Sequence, residues 1–385
     1  MIAALRGVID PELGSDVVEL GMVKGADIDP DGVATVRFAL TTAGCPLRAQ
    51  LQRDVKDRVG SLPGITKVHI DWTELDQAEK ATAMARARRN IAERAGQTAL
   101  PPTARVLMVA SGKGGVGKSS VTVNLAAALA AAGHRVGLID ADIWGYSVPR
   151  MLGIDGRLEG DEGSKRIRPN MLPIGPGRIE VVSMGFLVDA EETALMWRGL
   201  ILQRAVQHFL EDVVWSSDLD YVLIDMPPGT GDVQMGLAKL LPRAEMLIVT
   251  TPSITAQKVA IRAVNMGRQN YLRVLGVIEN MSAFVAPSGE SFAIFGSGGG
   301  RALADEAGIE LIAEIPIETA VAEGGDAGHP IALGVGPAAD AFRALAERIA
   351  TDIAPPVDMA GCSVRLLDAV GAALASHDAQ HSSDD

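Results

Sequence analysis

The sequence predicts an α/β fold in which a small α+β domain precedes a doubly wound parallel sheet. From residue 105 onward, short β-branched apolar runs alternate with helical segments, which is the pattern of strands buried on both faces. A glycine-rich loop, SGKGGVGKSS, connects the first of these strands to a helix. Before residue 76, a hairpin turn signal and a helical repeat of apolar residues indicate the separate small domain.

Length, charge and hydropathy limit the classes of protein that are compatible with this sequence. The 385 residues suggest two or three domains at the usual size of roughly 100–200 residues each. The net charge of −13, without a dense run of lysine or arginine, argues against nucleic acid or an anionic membrane as a partner. The N-terminus lacks the pattern of a signal peptide, and no apolar run reaches about 18 residues, so we expect a cytoplasmic protein.

Residues 1–76 are predicted to form the small α+β domain. In GADIDPDGVATVRFAL, two alternating apolar runs flank Pro30-Asp31-Gly32, which is a strong hairpin turn signal. A helix follows, in which Leu51, Val55 and Val59 recur at helical spacing, and TKVHIDWT closes the domain as a strand. We predict a helical and extended linker over 77–104, the sheet domain over 105–353, and a C-terminal helix with a polar tail over 354–385.

The loop after the first strand of the sheet matches the phosphate-binding pattern G-x-x-x-x-G-K-[ST]. Its backbone N–H groups would converge on phosphate oxygens, Lys118 would neutralise the β- and γ-phosphates, and Ser119 offers a hydroxyl to magnesium. The alternative is a glycine-rich turn without a ligand. The predicted nucleotide-binding residues of this loop are Gly112, Lys113, Gly114, Gly115, Val116, Gly117, Lys118, Ser119 and Ser120.

A second lysine within the loop, Lys113, makes the loop read K-G-G-V-G-K-S. With this feature the chain resembles the MinD/ParA class of P-loop ATPases. The resemblance implies ATP and magnesium as cofactors and a homodimer that encloses the nucleotide. It also implies that Lys113 reaches the phosphates of the partner subunit and is catalytic together with Lys118 and Asp142. A Lys113 that merely faces solvent is the alternative.

Acidic residues follow two of the predicted strands. Asp140 and Asp142 end the run LIDAD, and Asp225 ends YVLID before the loop PPGTGD. The resemblance implies that Asp142 positions the attacking water and that Asp225 holds magnesium through water. It further implies that residues 227–232 sense the γ-phosphate. Carboxylates at strand ends are also common helix caps, and this alternative stays open for Asp142 and Asp225.

Two residues at the ends of later strands are candidates for contact with the base. Asn280 ends VLGVIEN, and Pro316 lies in ELIAEIPI. The resemblance implies that they flank adenine, with the amide of Asn280 able to pair with a donor and an acceptor on the base edge. An asparagine that only caps a turn is the alternative.

Longer motifs resemble the Mrp/ApbC family of iron–sulfur cluster carriers. In the sheet domain these are DADIWGYSVPRMLG, DMPPGTGD, ENMS and FGSGGG. In the first domain, IDPELGSDVVELGMV and TTAGCPLRAQL resemble the small domain of iron–sulfur assembly proteins. The resemblance implies a homodimer that hydrolyses ATP slowly and passes iron–sulfur clusters to apoproteins or works with assembly factors.

One loop departs from this family, which usually carries a C-x-x-C pair after ENMS to hold the cluster between two subunits. Ala286 and Gly289 stand at those positions, and neither side chain can ligate iron. Cys45 is the remaining candidate ligand, because it lies at the start of a predicted helix whose dipole favours the thiolate. The alternative is that Cys45 is a packed structural cysteine, and we expect Cys362 to be inert.

Three functions remain open at this level. The first is an ATP-binding and ATP-hydrolysing carrier of iron–sulfur clusters, and the second is an ATPase that regulates iron–sulfur assembly without holding a cluster. The third is a positioning ATPase of the MinD/ParA kind. The C-terminal segment RLLDAVGAALA, with a single arginine, is unlike a basic membrane-targeting helix, and no basic stretch is available for DNA.

Overall fold

The computed structural model describes residues 1–10, 13, 15–41, 48–94, 98–142, 145–155, 158–160, 166–187, 199–286 and 290–357. The chain divides into two compact units. Unit 1 comprises Met1–Gly96, Ala238–Arg243 and Gln269–Leu272, and unit 2 comprises Gln97–Leu237, Ala244–Arg268 and Arg273–Asp385. Within the described residues, no helix is both long enough and apolar enough to cross a lipid bilayer.

The N-terminal part of unit 1 contains the predicted small α+β fold. In chain order its elements are α1 (Ile2–Leu5), β1 (Ile9–Asp10), β2 (Ser15–Asp16), β3 (Val23–Ile28), β4 (Val33–Leu40), α2 (Arg48–Gly60), β5 (Lys67–Glu74) and α3 (Gln77–Arg94). Strand β4 pairs antiparallel with β3 and parallel with β5. The predicted hairpin and helix are confirmed, because Gly32 N–H donates to Asp29 O at the turn and Leu51, Val55 and Val59 are fully buried.

Helix α3 contributes to the core of unit 1. Its Ala83 and Ala87 are fully buried, and Lys24 pairs with its Glu79 at 2.8 Å. Residues four apart lie on the same face of a helix, so these small side chains allow the helix backbone to pack closely on its neighbours. The first part of the segment that the sequence predicts to be a linker therefore has a buried face.

The remaining elements form the central sheet, the helices that cover it and a separate pair of short antiparallel strands. They are β6 (Arg105–Ser111), α4 (Lys118–Ala131), β7 (Arg135–Asp140), α5 (Val148–Met151), β8 (Glu159–Gly160), β9 (Ile167–Arg168), β10 (Asn170–Ile174), β11 (Gly177–Ser183), α6 (Gly199–Glu211), β12 (Tyr221–Asp225), α7 (Asp232–Leu240), β13 (Glu245–Thr250), α8 (Ile254–Gln269), β14 (Arg273–Val285), β15 (Ser291–Phe292), α9 (Gly299–Ala307), β16 (Glu310–Ile317), α10 (Thr319–Ala327) and α11 (Pro337–Arg348). Short 3₁₀ turns lie at Met184–Leu187 and Ile331–Leu333, and a π turn lies at Ile349–Ile353.

The predicted parallel sheet is confirmed as the centre of unit 2. Its parallel strands follow the spatial order β11-β7-β12-β6-β13-β14-β16. Strand β10 adds antiparallel to one edge, and β15 pairs antiparallel with the far end of β14. Strands such as β6 are buried along their length, since the sheet is covered by helices.

The strand order decides where a ligand site can form. Strand β6 lies between β12 and β13, and the chain leaves β6 through the glycine-rich loop into α4. Parallel strands have their carboxyl ends at one edge of the sheet, so Ser111, Asp140, Asp225 and Asn280 are brought to the same edge.

Candidate functional site

The glycine-rich loop passes close to two other segments of unit 2. Gly117 has a φ of +77°, and a Cβ at this position would lie 2.2 Å from Asn280 Nδ2. A Cβ on Gly112 would lie 2.3 Å from the backbone carbonyl carbon of Val259 in α8. The glycines of the pattern are therefore required by close approach and by backbone conformation. The loop leads directly into the N-terminus of α4, which favours an anion there.

The other residues of the loop differ in their exposure. Ser111 Oγ donates to the backbone carbonyl of Lys113 at 2.9 Å and so fixes the start of the loop. Gly114 and Gly115 are exposed, whereas Val116 is buried. The ammonium of Lys113 has no acidic partner among the residues that the structure describes, so it is available for a ligand or a second subunit.

Lys118, Ser119 and Asp225 form a connected group beneath the loop. Lys118 Nζ donates to Asp225 Oδ1 at 2.7 Å, and Ser119 Oγ donates to Asp225 Oδ2 at 2.5 Å. The lysine is 6% exposed and the aspartate is fully buried. The hydroxyl of Thr122 lies 3.0 Å from Asp225 Oδ1. These partners compensate for the cost of burying the carboxylate, and the hydrogen bonds to Asp225 described here come from side chains in the first turns of α4.

Asp140 and Asp142 lie beside this group at the end of β7. Asp140 is fully buried and accepts hydrogen bonds from Ser183 Oγ at 2.9 Å and from the Asp142 N–H at 3.2 Å. Burial, reinforced by the carboxylate of Asp225, raises the pKa of Asp140 to about 8. Asp142 Oδ2 lies 3.5 Å from Lys118 Nζ, and burial raises the pKa of Asp142 against the opposing effect of that lysine. Asp142 and Lys118 thus lie side by side next to the phosphate-binding pattern.

A cavity of about 510 Å³ adjoins the loop. The predicted residues Gly117, Ser120, Asn280 and Pro316 all line it, together with residues that the sequence did not single out, among them Met281, Phe295, Ile317 and Val321. Asn280 Nδ2 donates to Val116 O at 2.9 Å, and this hydrogen bond connects β14 to the loop. An apolar cavity with a convergent amide is the form that many small-molecule sites take.

The backbone is distorted where Asn280 enters the cavity. Met281 has a φ of +57°, which is uncommon for a residue with a side chain. The register between β14 and β16 shifts between Asn280 and Phe284. Such irregularities re-aim side chains at strand ends, and this one lies at the wall of the cavity.

Magnesium suits the donors of the loop and of β12. Ser119 Oγ and Asp225 Oδ2 are hard oxygen donors, the kind that Mg²⁺ prefers when phosphates and waters supply its other ligands. Over the described ranges, no group of three or more His, Cys, Asp or Glu side chains is arranged to hold a metal ion.

The resemblance places cluster ligands at positions 286 and 289, and position 286 directly follows β14. Ala286 N–H donates to Glu290 O at 2.8 Å, and its methyl side chain offers no atom that could bind iron. Gly289, Cys45 and Cys362 lie outside the described residues. The role of Cys45 as an iron–sulfur ligand stays a prediction.

Some residues of the site were not found from the sequence. Thr122 and Ser183 contact the buried aspartates, and Gln234 lies under the loop that follows β12. The Gln234 amide donates to Pro227 O, while its Oε1 has no hydrogen-bond partner among the residues that the structure describes. The contacts of Thr122 and Ser183 join segments that are distant in sequence, so no local pattern signals them.

Comparison with known proteins gives matches over both parts of the chain. The family model described as NUBPL iron-transfer P-loop NTPase matches residues 103–350, and the model for iron-sulfur cluster assembly proteins matches residues 1–72. A Deinococcus radiodurans protein named iron-sulfur cluster carrier protein is 44% identical over 360 residues, which cover 92% of this chain and 95% of that protein.

The chain is also similar to two further proteins. A Mycobacterium tuberculosis protein, also named iron-sulfur cluster carrier protein, is 42% identical over 337 residues, which cover 86% of each chain. A solved nucleotide-binding protein from Archaeoglobus fulgidus in complex with ADP is 37% identical, with a TM-score of 0.49 over 58% of this chain and 86% of its own.

Proposed function

This chain belongs to the NUBPL iron-transfer P-loop NTPase family, and on that premise we propose that it binds and hydrolyses ATP and transfers iron–sulfur clusters to apoproteins. The observation that carries the proposal is the buried group of Lys118, Ser119 and Asp225 beside a cavity of about 510 Å³. Such a group offers charge to phosphates, oxygen donors to magnesium and an adjoining space for a base.

Each residue of the group has a distinct part in the proposed hydrolysis. The N–H groups of the loop bind phosphate oxygens, and Lys118 exchanges its contact with Asp225 for the β- and γ-phosphates. Ser119, and Asp225 through water, would hold magnesium, which would supply positive charge to neutralise the phosphates. Asp142 orients the attacking water, and its position 3.5 Å from Lys118 Nζ supports this role.

Lys113 is assigned to the second subunit of a homodimer. Its ammonium has no acidic partner within the described part of its own chain. A cation that reaches the partner's phosphates would stabilise the charge that develops on the transferred group, as an arginine finger does. The proposed site is complete only in the homodimer.

The cargo is an iron–sulfur cluster, for which Cys45 is the candidate ligand. One thiolate from each of two subunits leaves ligand positions that a client apoprotein or a small thiol could fill. The match of residues 1–72 to iron-sulfur cluster assembly proteins supports this assignment, because Cys45 lies in that domain.

A second candidate function is regulation of iron–sulfur assembly without a bound cluster. The observation that favours it is Ala286, a residue without a ligating atom at the hairpin where cysteine would be required. In this candidate the ATP site works as described above, and another protein carries the cluster. A positioning ATPase of the MinD/ParA kind gains no support from the N-terminal domain.

Anaerobic reconstitution with iron and sulfide tests the cargo. We expect sulfur-to-iron charge-transfer absorption in the wild type and in the control Cys362→Ala, and no such absorption in Cys45→Ala. ATP hydrolysis is measured in parallel on all three proteins. Absorption in none of them, with hydrolysis in all, would exclude the carrier and leave the regulator. Absence of hydrolysis in the wild type would contradict the ATPase itself.

A further inference from the structure

An aromatic side chain from a distant segment lines the nucleotide cavity. Phe295 follows β15 and shares the cavity wall with Gly117 of the loop, Asn280 and Pro316. Its ring is 49% exposed, although a side chain of this type is more often buried in a core. An exposed ring at the wall of an apolar cavity is available to contact a ligand.

Two hydrogen bonds fix the segment that carries Phe295. Within the segment, Gly296 N–H donates to Ala293 O at 3.1 Å and closes a backbone turn that contains Phe295. After this turn, Gly300 N–H donates to the carboxylate of Glu279, which is 2% exposed. Glu279 directly precedes Asn280 in β14. One strand thus holds both the amide and the segment with the aromatic ring at the cavity.

We propose that Phe295 is the stacking wall for the base and supplies much of the affinity for a purine. This inference rests on the proposed nucleotide binding and deepens it, because it assigns recognition of the base to a segment outside the phosphate loop. A phenyl face stacks on any purine, so the ring provides affinity. The amide of Asn280, which has both a donor and an acceptor, provides the discrimination between bases.

Calorimetry with two ligands separates the base from the phosphates. Phe295→Ala should weaken binding of MgADP about tenfold, the usual effect of removing one base-stacking ring, and leave the affinity for magnesium pyrophosphate unchanged. Phe292→Ala is the matched control, since this ring is 48% exposed in the same segment and does not line the cavity. The control should bind both ligands like the wild type.

The outcomes separate this inference from the proposed function. If the wild type binds MgADP and Phe295→Ala binds it equally well, the stacking role is overturned while the ATPase proposal stands. If Phe295→Ala loses pyrophosphate and MgADP affinity to the same degree, the ring acts on the loop and not on the base. If the wild type binds neither ligand, the proposed nucleotide site itself is contradicted, and the stacking role with it.

A fluorescence measurement tests for direct contact with the base. Phe295→Trp places an indole on the cavity wall, and stacking with ADP should quench its emission. Phe292→Trp is the control, and the wild type measures the background from the four native tryptophans. Quenching confined to Phe295→Trp supports the inference. Equal quenching in both variants, or none in Phe295→Trp, overturns it.

Discussion

At the scale of single residues, the site is organised around carboxylates that lie away from water. Asp225 accepts hydrogen bonds from Lys118 and Ser119. Within the described residues, the hydrogen-bond donors to the neighbouring Asp140 are uncharged, namely the Ser183 hydroxyl and the Asp142 N–H. A buried carboxylate without a cation against it is disfavoured in its charged form. The two aspartates, adjacent across β12 and β7, therefore differ in their electrostatic surroundings.

Asp140 should make the stability of the nucleotide-free protein depend on pH. Burial and Asp225 raise its pKa from 3.8 to about 8, so between these values the folded chain holds a proton that the unfolded chain releases. Because the folded state then binds more protons, stability falls as pH rises from about 4 to about 8. Lys118 opposes this shift and Asp142 adds to it. The side chain of Asp140→Asn is neutral at every pH, so this part of the fall in stability with rising pH should be absent from the variant.

The measurement is urea unfolding at several pH values, in EDTA and without nucleotide. The control is Asp155→Asn, an exposed aspartate of the same unit for which the slope should remain that of the wild type. A slope in Asp140→Asn as steep as that of the wild type would contradict the raised pKa.

At the scale of elements, α3 shows how small side chains build a core without large apolar residues. Its hydrophobic content is low, but Ala83 and Ala87 are fully buried together with Leu5, Phe38 and the other residues of the unit 1 core. Alanine has a high helix propensity and brings backbones close together. Close packing of these alanines against the other core residues therefore stabilises α3 in unit 1.

A charge on the buried face of α3 should destabilise unit 1. Ala83→Glu places an unpaired carboxylate in the core and should cost at least about 3 kcal/mol of unfolding free energy. Ala85→Glu, on the exposed face of the same helix, should change it by less than about 0.5 kcal/mol. Hydrogen exchange of the amides in α2 reports this locally. Equal exchange in the two variants would mean that α3 does not stabilise the core.

At the scale of the whole molecule, the proposed catalysis requires two copies of the chain. In the proposed site Lys118 would bind the nucleotide of its own subunit, while Lys113 has no acidic partner within the described residues of that subunit. In a symmetric dimer each subunit would give one lysine to its own site and one to the other. The two lysines of one loop then belong to different active sites.

Mixing two inactive variants tests this division of the lysines. Lys118→Ala should lose nucleotide binding, and Lys113→Ala should bind ATP but hydrolyse it about 10³-fold more slowly, the lower end of the effect of an arginine finger. In a mixed dimer one site has an intact Lys118 and receives Lys113 from the other subunit. The mixture should recover up to about a quarter of the wild-type rate, since half of the dimers are mixed and each has one complete site.

Phosphate release at equal total protein measures this recovery, with each variant alone as the control. A mixture no more active than Lys113→Ala alone, although mixed dimers are detected, would contradict a lysine that acts across the dimer. Loss of binding in both variants would assign Lys113 to its own subunit.

The sequence by itself determined the elements of the sheet and the phosphate loop, because both depend on local patterns. Apolar runs of strand length identified β6, β7, β12 and β13, and the spacing from Gly112 to Ser119 identified the loop. Asp225 and Asn280 could be predicted as candidates for the site, because each follows an apolar run of strand length and matches a family pattern.

Only the tertiary structure decided which of these residues meet and what else joins them. The contact of Asn280 with Val116, the burial of Asp140 and the approach of Phe295 to the cavity all join segments far apart in the chain. The stripe of small residues in α3 likewise shows its burial only once the helix is packed. Such contacts depend on strand order and register, which follow from the packing free energy of the whole chain and leave no periodic signal in the sequence around any one of these residues.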